Sequence, residues 1–380
     1  MSDIDLLLAV ADTGVDAKDA ADLRAPSPYQ ERLWRAHCAA PSTAYSVPCV
    51  FDLDGGDSAR VLAAILEVLA AHDVFATRIV DADGPGFALE PVGPIVPEIA
   101  VVADMDAATE ELLARGWSSG PLVRVALFRR EGRSDRIAMV FHHAVIDGHS
   151  VSLLITDIAR ELAEPGMSSM RTRPRYRDVA RVRRSSRSWW TDHLSTVPYR
   201  RAWRPSEPGE PVVSRASVVA GRRDATSWFT AVAVTLSRLL GSEVLCLSVP
   251  LANRREVEEF DVVGPLVSTV PLVVEVCETD SLGTVRNRIE ALVEDASRHA
   301  DVDLAAVVAD LRRDDPEFLL PTEVFVNVQS VDRSDIALGD ATARPVAVHT
   351  GEMKGALTVS ISRPNRRRCR SSRRCRVGRR

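Results

Sequence analysis

Residues 137–150 read IAMVFHHAVIDGHS. The apolar run 137–141 is expected to form a buried strand. It delivers His142 and His143 to its C-terminal end. A three-residue gap leads to Asp147-Gly148, and from 149 to 163 the apolar residues Val151, Leu153, Leu154, Ile158 and Leu162 recur with helical spacing. A strand end is a good place for a base, because the backbone is anchored while the imidazole reaches a cleft, and the ordinary histidine pKa suits proton transfer near neutral pH. Adjacent strand residues face opposite ways, so only one of the two histidines faces a given cleft. Asp147 can fix the loop by accepting backbone hydrogen bonds or pairing with a cation, and Gly148 is expected to permit the tight turn. As a bare string the motif is equally compatible with core or loop histidines and a helix-capping Asp147. A metal site of His142, His143 and His149 is disfavoured, because the spacing is not i, i+4 and no cysteine or second acidic cluster lies near.

Working outward, strands are expected at 46–53, 74–80, 122–128, 244–249, 262–277, 323–328 and 357–361. Helices are expected from Pro28, and at 58–72, 106–115, 225–240, 281–298 and 304–312. Their alternation gives an α/β or α+β class. Residues 164–187, rich in Pro, Ser and Arg, read as an inter-lobe linker.

The 380 residues are 46% hydrophobic and 27% charged, as expected for a globular enzyme with two lobes. No window is apolar enough for a membrane span, the N-terminus is acidic where a leader is basic, and a cytoplasmic location is expected. Cys38, Cys49, Cys246, Cys277, Cys369 and Cys375 fit neither a zinc spacing nor a disulfide framework. From Arg363 to Arg380 there are ten arginines and no acid, which leaves an acidic body and argues against a nucleic-acid-binding enzyme.

Six further stretches surround the central motif in a consistent order: Ser27–Trp34 (SPYQERLW), Ala71–Thr77 (AHDVFAT), Tyr176–Ala180 (YRDVA), Leu251–Arg254 (LANR), Val263–Thr269 (VGPLVST) and His299–Val302 (HADV), with Ser150 following the motif itself. Together they resemble the condensation domains of nonribosomal peptide synthetases, within the HHxxxDG acyltransferases, over roughly residues 27–362. The resemblance implies two chloramphenicol-acetyltransferase-like lobes in a V with a central tunnel. It implies a lead-in segment at 1–26, an N-terminal lobe at 27–170, a linker at 171–187, a C-terminal lobe at 188–362, and an arginine-rich tail at 363–380. The family continues with further strand and helix where this chain turns arginine-rich, so the second lobe is expected to be incomplete; out-of-frame translation and a disordered basic arm are the two readings of that tail.

The resemblance also assigns chemistry. His143 is the catalytic residue, positioning or deprotonating an acceptor amine that attacks a donor thioester. His142, Asp147 and Gly148 support it. Arg254, which on its own reads as a solvated charge beside Arg255, becomes the arginine that holds Asp147. Ser268 and Asn327 are candidate tunnel residues. The chain is expected to bind no cofactor or metal itself and to receive substrates on the phosphopantetheine of donor and acceptor carrier proteins, with a CoA thioester as a second source. A monomer is expected, with no nucleic acid or membrane partner. Ester formation on a hydroxyl acceptor, epimerisation, and a non-catalytic binding platform are the competing functions. The chain departs from the pattern at Ala71 and Ala76, where arginines are usual, at Ser268, where asparagine is usual, and at Pro265 and His149.

Overall fold

The structure, a computed structural model, describes residues 25–39, 41, 43–82, 86–117, 120–170, 172–180, 186–195, 224–318, 320, 324–328, 335–348 and 357–361. Residues 1–24 of the expected lead-in segment and the arginine-rich tail at 363–380 lie outside these residues.

Two hydrophobic cores with no residue in common organise the described residues. The first surrounds a six-stranded sheet in the order β10 (Ile336–Leu338), β11 (Ala341–Pro345), β1 (Ser46–Asp54), β6 (Asp135–His142), β5 (Val123–Arg129), β4 (Glu98–Val101). Its centre is β1 (Ser46–Asp54) paired antiparallel with β6 (Asp135–His142), which pairs in turn with β5 (Val123–Arg129). Pro48 has Val140 as its partner on the β6 side, while β11 covers only Phe51–Asp54, so the missing N–H of Pro48 interrupts no ladder there. The parallel edge strand β4 (Glu98–Val101) completes that side. Helix α1 (Pro28–Ala39) precedes β1. Helix α2 (Ser58–Ala70), capped by Asp57, buries Val61, Leu62, Ile65, Leu66 and Leu69, the face its sequence spacing predicts. Strands β2 (Thr77–Asp81) and β3 (Phe87–Pro91) form a separate ribbon, and α3 (Met105–Ala114) follows β4. Helix α4 (Gly148–Ala163) packs against α2.

The second sheet runs β12-β9-β7-β8. Strand β7 (Val244–Leu251) is antiparallel to β8 (Ser268–Glu275) and parallel to β9 (Val324–Val328), beside β12 (Leu357–Ile361). Short helices α5 (Met167–Met170), α6 (Tyr176–Ala180) and α7 (Arg187–Ser195) precede α8 (Ala225–Leu240), and α9 (Leu282–Arg298) and α10 (Leu304–Asp314) follow β8.

Three features differ from the sequence reading. The expected C-terminal lobe, 188–362, is not self-contained: the hairpin β10 (Ile336–Leu338) and β11 (Ala341–Pro345) pairs with β1 of the first sheet. Its alternating burial, with Ala341 and Ala343 inward, is carried by small residues and so has weak hydrophobic periodicity. Part of the expected linker packs into the first lobe: Tyr176 and Ala180 of α6 are buried in the first core, where the Asp73 carboxylate accepts the N–H groups of Tyr176 and Arg177 at 3.0 and 3.2 Å. Residues 262–277, expected to hold a strand, do so from Ser268 to Glu275 only. Upstream, the N–H groups of Gly264, Leu266 and Val267 are bonded to side chains of the 147–150 segment and cannot join a ladder.

Candidate active site

The end of β6 is held on both sides before the turn begins. His142 N–H donates to the Leu122 carbonyl at 2.9 Å and His143 N–H to the Tyr45 carbonyl at 2.7 Å. The two imidazoles then diverge, as strand alternation requires. His142 is fully buried. Its Nδ1 accepts from the Ala144 N–H at 3.1 Å, so the ring proton is placed on Nε2. Around the ring stand Trp34, His37 and Trp117, all edge-on, with centroids at 5.4, 5.1 and 5.8 Å. His142 is thus a packing element of the first core. His143 is half-buried and faces Tyr29 of α1, whose hydroxyl lies 3.4 Å from its Nδ1. Burial raises the Tyr29 phenol well above its ordinary pKa, only partly offset by the Arg32 charge, so the hydroxyl stays protonated at neutral pH.

Asp147 is the N-cap of α4, with extended backbone and Oδ1 accepting from the Ser150 N–H at 2.8 Å. Its second role is to join two distant segments. Arg254, just past β7, places Nη2 3.1 Å from both carboxylate oxygens, and both side chains are essentially excluded from solvent. Oδ2 also accepts the N–H groups of Leu266 and Val267 at 3.0 and 3.2 Å. Arg254 Nη1 donates to the Glu259 carbonyl at 2.9 Å. The Ser150 hydroxyl lies 2.7 Å from Asp147 Oδ1 and 3.0 Å from both the nitrogen and the carbonyl oxygen of Gly264. Asn253, which precedes Arg254, has a positive φ of 49°, a conformation asparagine adopts more readily than most residues.

Gly148 departs from its expected part. Its φ is not positive, and a Cβ there would meet nothing within 4 Å. The turn does not require glycine; the missing side chain leaves open space at the start of α4. Gly264 is the glycine that the geometry demands, as its φ is +152° and a Cβ would run into the Tyr176 ring. Ser268 is buried and pairs with Leu251, while Asn327 in β9 pairs with Ser360. Neither makes a hydrogen bond to the 142–148 loop among the described residues. Tyr29 and Tyr176 were not singled out from sequence, although each lies inside a stretch of the family pattern; Trp117 carried no sequence signal. Among the described residues no group of three or more His, Cys, Asp or Glu could hold a metal ion, and no helix is long and apolar enough to cross a membrane.

Comparison with known proteins places this geometry. The condensation-domain family model matches residues 22–192 and 226–367. Chondramide synthase cmdD of Chondromyces crocatus is 25% identical over 375 residues, spanning 86% of this chain and 10% of the relative. Gramicidin S synthase 2 of Brevibacillus brevis is 22% identical over 360 residues, spanning 84% of this chain and 8% of the relative. The chain therefore spans about a tenth or less of these curated relatives. The first condensation domain of the CDA synthetase superposes with a TM-score of 0.67 at 17% identity, covering 89% of each chain. A variant of the starter condensation domain of the rhizomide synthetase RzmA gives 0.70 at 18% identity, covering 89% of this chain and 86% of that one. The mixed α/β architecture is that of these chloramphenicol-acetyltransferase-like domains, and the chain belongs to the condensation-domain family.

Proposed function

We propose that this acyltransferase-class domain condenses a carrier-bound acyl or peptidyl thioester with an acceptor amine, and that His143 stands at the reacting centre. The amine nitrogen attacks the thioester carbonyl, the C–N bond forms, the C–S bond breaks, and the thiol leaves with the proton that the amine gives up. The half-buried imidazole of His143 receives or orients that amine N–H, while holding the two substrates together supplies much of the acceleration. The observation that carries the reading is the construction of the 142–148 loop. His143 is pinned through its own N–H and faced by Tyr29, whereas Asp147 is fully committed to Arg254 and four N–H or O–H donors. Asp147 is thus unavailable as a base and serves to hold the loop.

His142, Asp147, Gly148 and Arg254 are supporting residues in this reading, and Ser268 and Asn327 line the route of the substrates between the lobes. Donor and acceptor arrive on phosphopantetheine arms. A solved starter condensation domain in complex with C8-CoA and Leu-SNAC, with a TM-score of 0.69 to this chain, is in keeping with a thioester donor. The test offers acyl-loaded donor carrier with aminoacyl and hydroxyacyl acceptors and follows the product by mass spectrometry. The expected result is amide product that falls by at least about 100-fold in His143→Ala. Undiminished product in that variant would remove His143 from the centre, and ester without amide would move the function to O-acylation.

A further inference from the structure

A cavity of about 290 Å³ lies within the first lobe, on the His142 side of β6. Its volume is near the lower end of small-molecule sites, about 300–1,000 Å³. Among the described residues, its lining falls between Trp34 and Val125. Apolar side chains in its wall include Trp34, Ile79, Ile95, Leu112, Trp117 and Leu122, and polar groups line about as much of it. Four charged side chains interrupt that wall, and three of them answer one another or a neighbour: Arg115 pairs with Glu98 at 2.6 Å, and Arg78 with Glu90 at 2.8 Å.

Arg124 is different. Its guanidinium sits 3.9 Å from the centre of the Trp117 ring and spends its N–H groups on the carbonyls of Arg115 and Gly116. Among the described residues it has no carboxylate partner, and the charge that acts on it is a second cation, Arg115. Burial, reinforced by Arg115, lowers its pKa, so the site strains the charge that it holds. A partly desolvated cation at this cavity, with no counter-ion among the described residues, is complementary to an anion, and the apolar side chains beside it suit an aliphatic body.

We propose that this cavity is a binding site for a small aliphatic carboxylate, whose head pairs with Arg124 and whose chain lies against Trp34, Ile95 and Leu112. The ligand is a modulator, not a reactant, because the cavity backs onto the His142 cage and not onto His143. Trp34 and Trp117 are shared by the cavity wall and by that cage, and His37 Nε2 is hydrogen-bonded to the Trp117 carbonyl at 3.1 Å. Occupancy therefore reaches the residue next to His143 through two indoles. Binding stands independently of the role proposed for His143; the effect on rate rests on that role.

The test titrates the full chain with octanoate, octylamine and octanol, following tryptophan fluorescence and binding heat. Octanoate is expected to bind at least about ten-fold more tightly than the other two, and Arg124→Met, which keeps the stem over Trp117, is expected to remove that preference, with Arg124→Lys restoring part of it. His143→Ala is expected to bind octanoate as the wild type does. Equal binding of octylamine, wild-type octanoate affinity in a folded Arg124→Met, or loss of binding in His143→Ala would each overturn the proposal. Should Arg124→Met not fold, Val96→Trp provides the second variant. Val96 is 72% exposed at the cavity edge, and unchanged octanoate affinity with that indole in place would also overturn it.

Discussion

The ring of Tyr176 occupies the space that a side chain on residue 264 would need: a Cβ on Gly264 would lie 2.1 Å from Tyr176 Cδ2. The contact sits at a junction of three segments. The Tyr176 hydroxyl lies 2.8 Å from Ser27 Oγ at the start of α1 and 3.3 Å from the Pro265 carbonyl, while the backbone beyond Gly264 supplies the N–H groups that hold Asp147. Gly264→Ala is therefore expected to combine a strained φ of +152° with a clash against a buried ring, at a cost of about 3 kcal/mol or more. Urea denaturation measures the cost. Tyr176→Phe keeps the ring and is expected to lose only about 1–2 kcal/mol through its hydroxyl contacts. If Tyr176→Phe proved the more damaging of the two, packing would not be the main function of the contact.

Removing one member of the Asp147–Arg254 pair strands the other in a site without solvent. Arg254→Ala and Asp147→Ala are each expected to destabilise by about 3–5 kcal/mol, much of it the penalty of an uncompensated buried charge. In the double variant that penalty disappears, so the cost is expected to be well below the sum of the two single costs. A double-mutant cycle in urea reads this directly. Additive losses would show that the two residues act independently, against the geometry.

How far the sequence foretold these relations depends on what each one rests on. The strand–His–His–turn–helix junction at 137–163 was legible because apolar periodicity changes from strand to helix across it, and the same spacing marked α2, α8 and α9. Arg254 was legible only through the family resemblance, since an arginine next to Arg255 gives no local sign that it lies 0% exposed against a carboxylate 107 residues away. The hairpin β10–β11 was missed because its inward residues include Ala341 and Ala343, too small to mark a buried face. Residues 262–267 carried strand-like composition, yet their N–H groups are claimed by the Asp147 and Ser150 side chains, a long-range competition that no local pattern records. Gly148 shows the reverse case: a glycine inside the motif read as a turn requirement, whereas the backbone there is one any residue adopts.

Acid should act on a second buried cluster. Asp157 of α4 is buried, which alone would raise its pKa, but hydrogen bonds from His72 and Arg173 and the charge of Arg173 outweigh burial and lower it to about 2, against an ordinary 3.8. A carboxyl whose folded pKa is depressed contributes stability above its unfolded value and loses it as pH falls through the folded one. The contribution is accordingly expected to be complete above about pH 4 and to vanish towards pH 2, amounting to about 2 kcal/mol. Comparing urea stability of wild type and Asp157→Asn from pH 6 to pH 2 isolates it, since other titrating groups are common to both. The difference should shrink as the acid is added. A difference that stays constant with pH would mean that the cost of the substitution is packing rather than charge.

Tyr29 offers a test of how His143 is aimed. Its hydroxyl faces Nδ1 at a long 3.4 Å, and the Arg32 guanidinium lies 5.2 Å from the Tyr29 ring centre. A hydrogen bond of that length is weak, and its use is to orient the imidazole. Tyr29→Phe is therefore expected to lower kcat/KM for amide formation by about five-fold, equivalent to about 1 kcal/mol, with little change in stability. His143→Ala in the same background should abolish the remaining Tyr29 effect, because there is then no ring left to orient. Steady-state kinetics with a fixed carrier pair measures all three variants. A Tyr29→Phe defect that persists undiminished without His143 would assign the tyrosine a separate contact with substrate and detach it from the histidine.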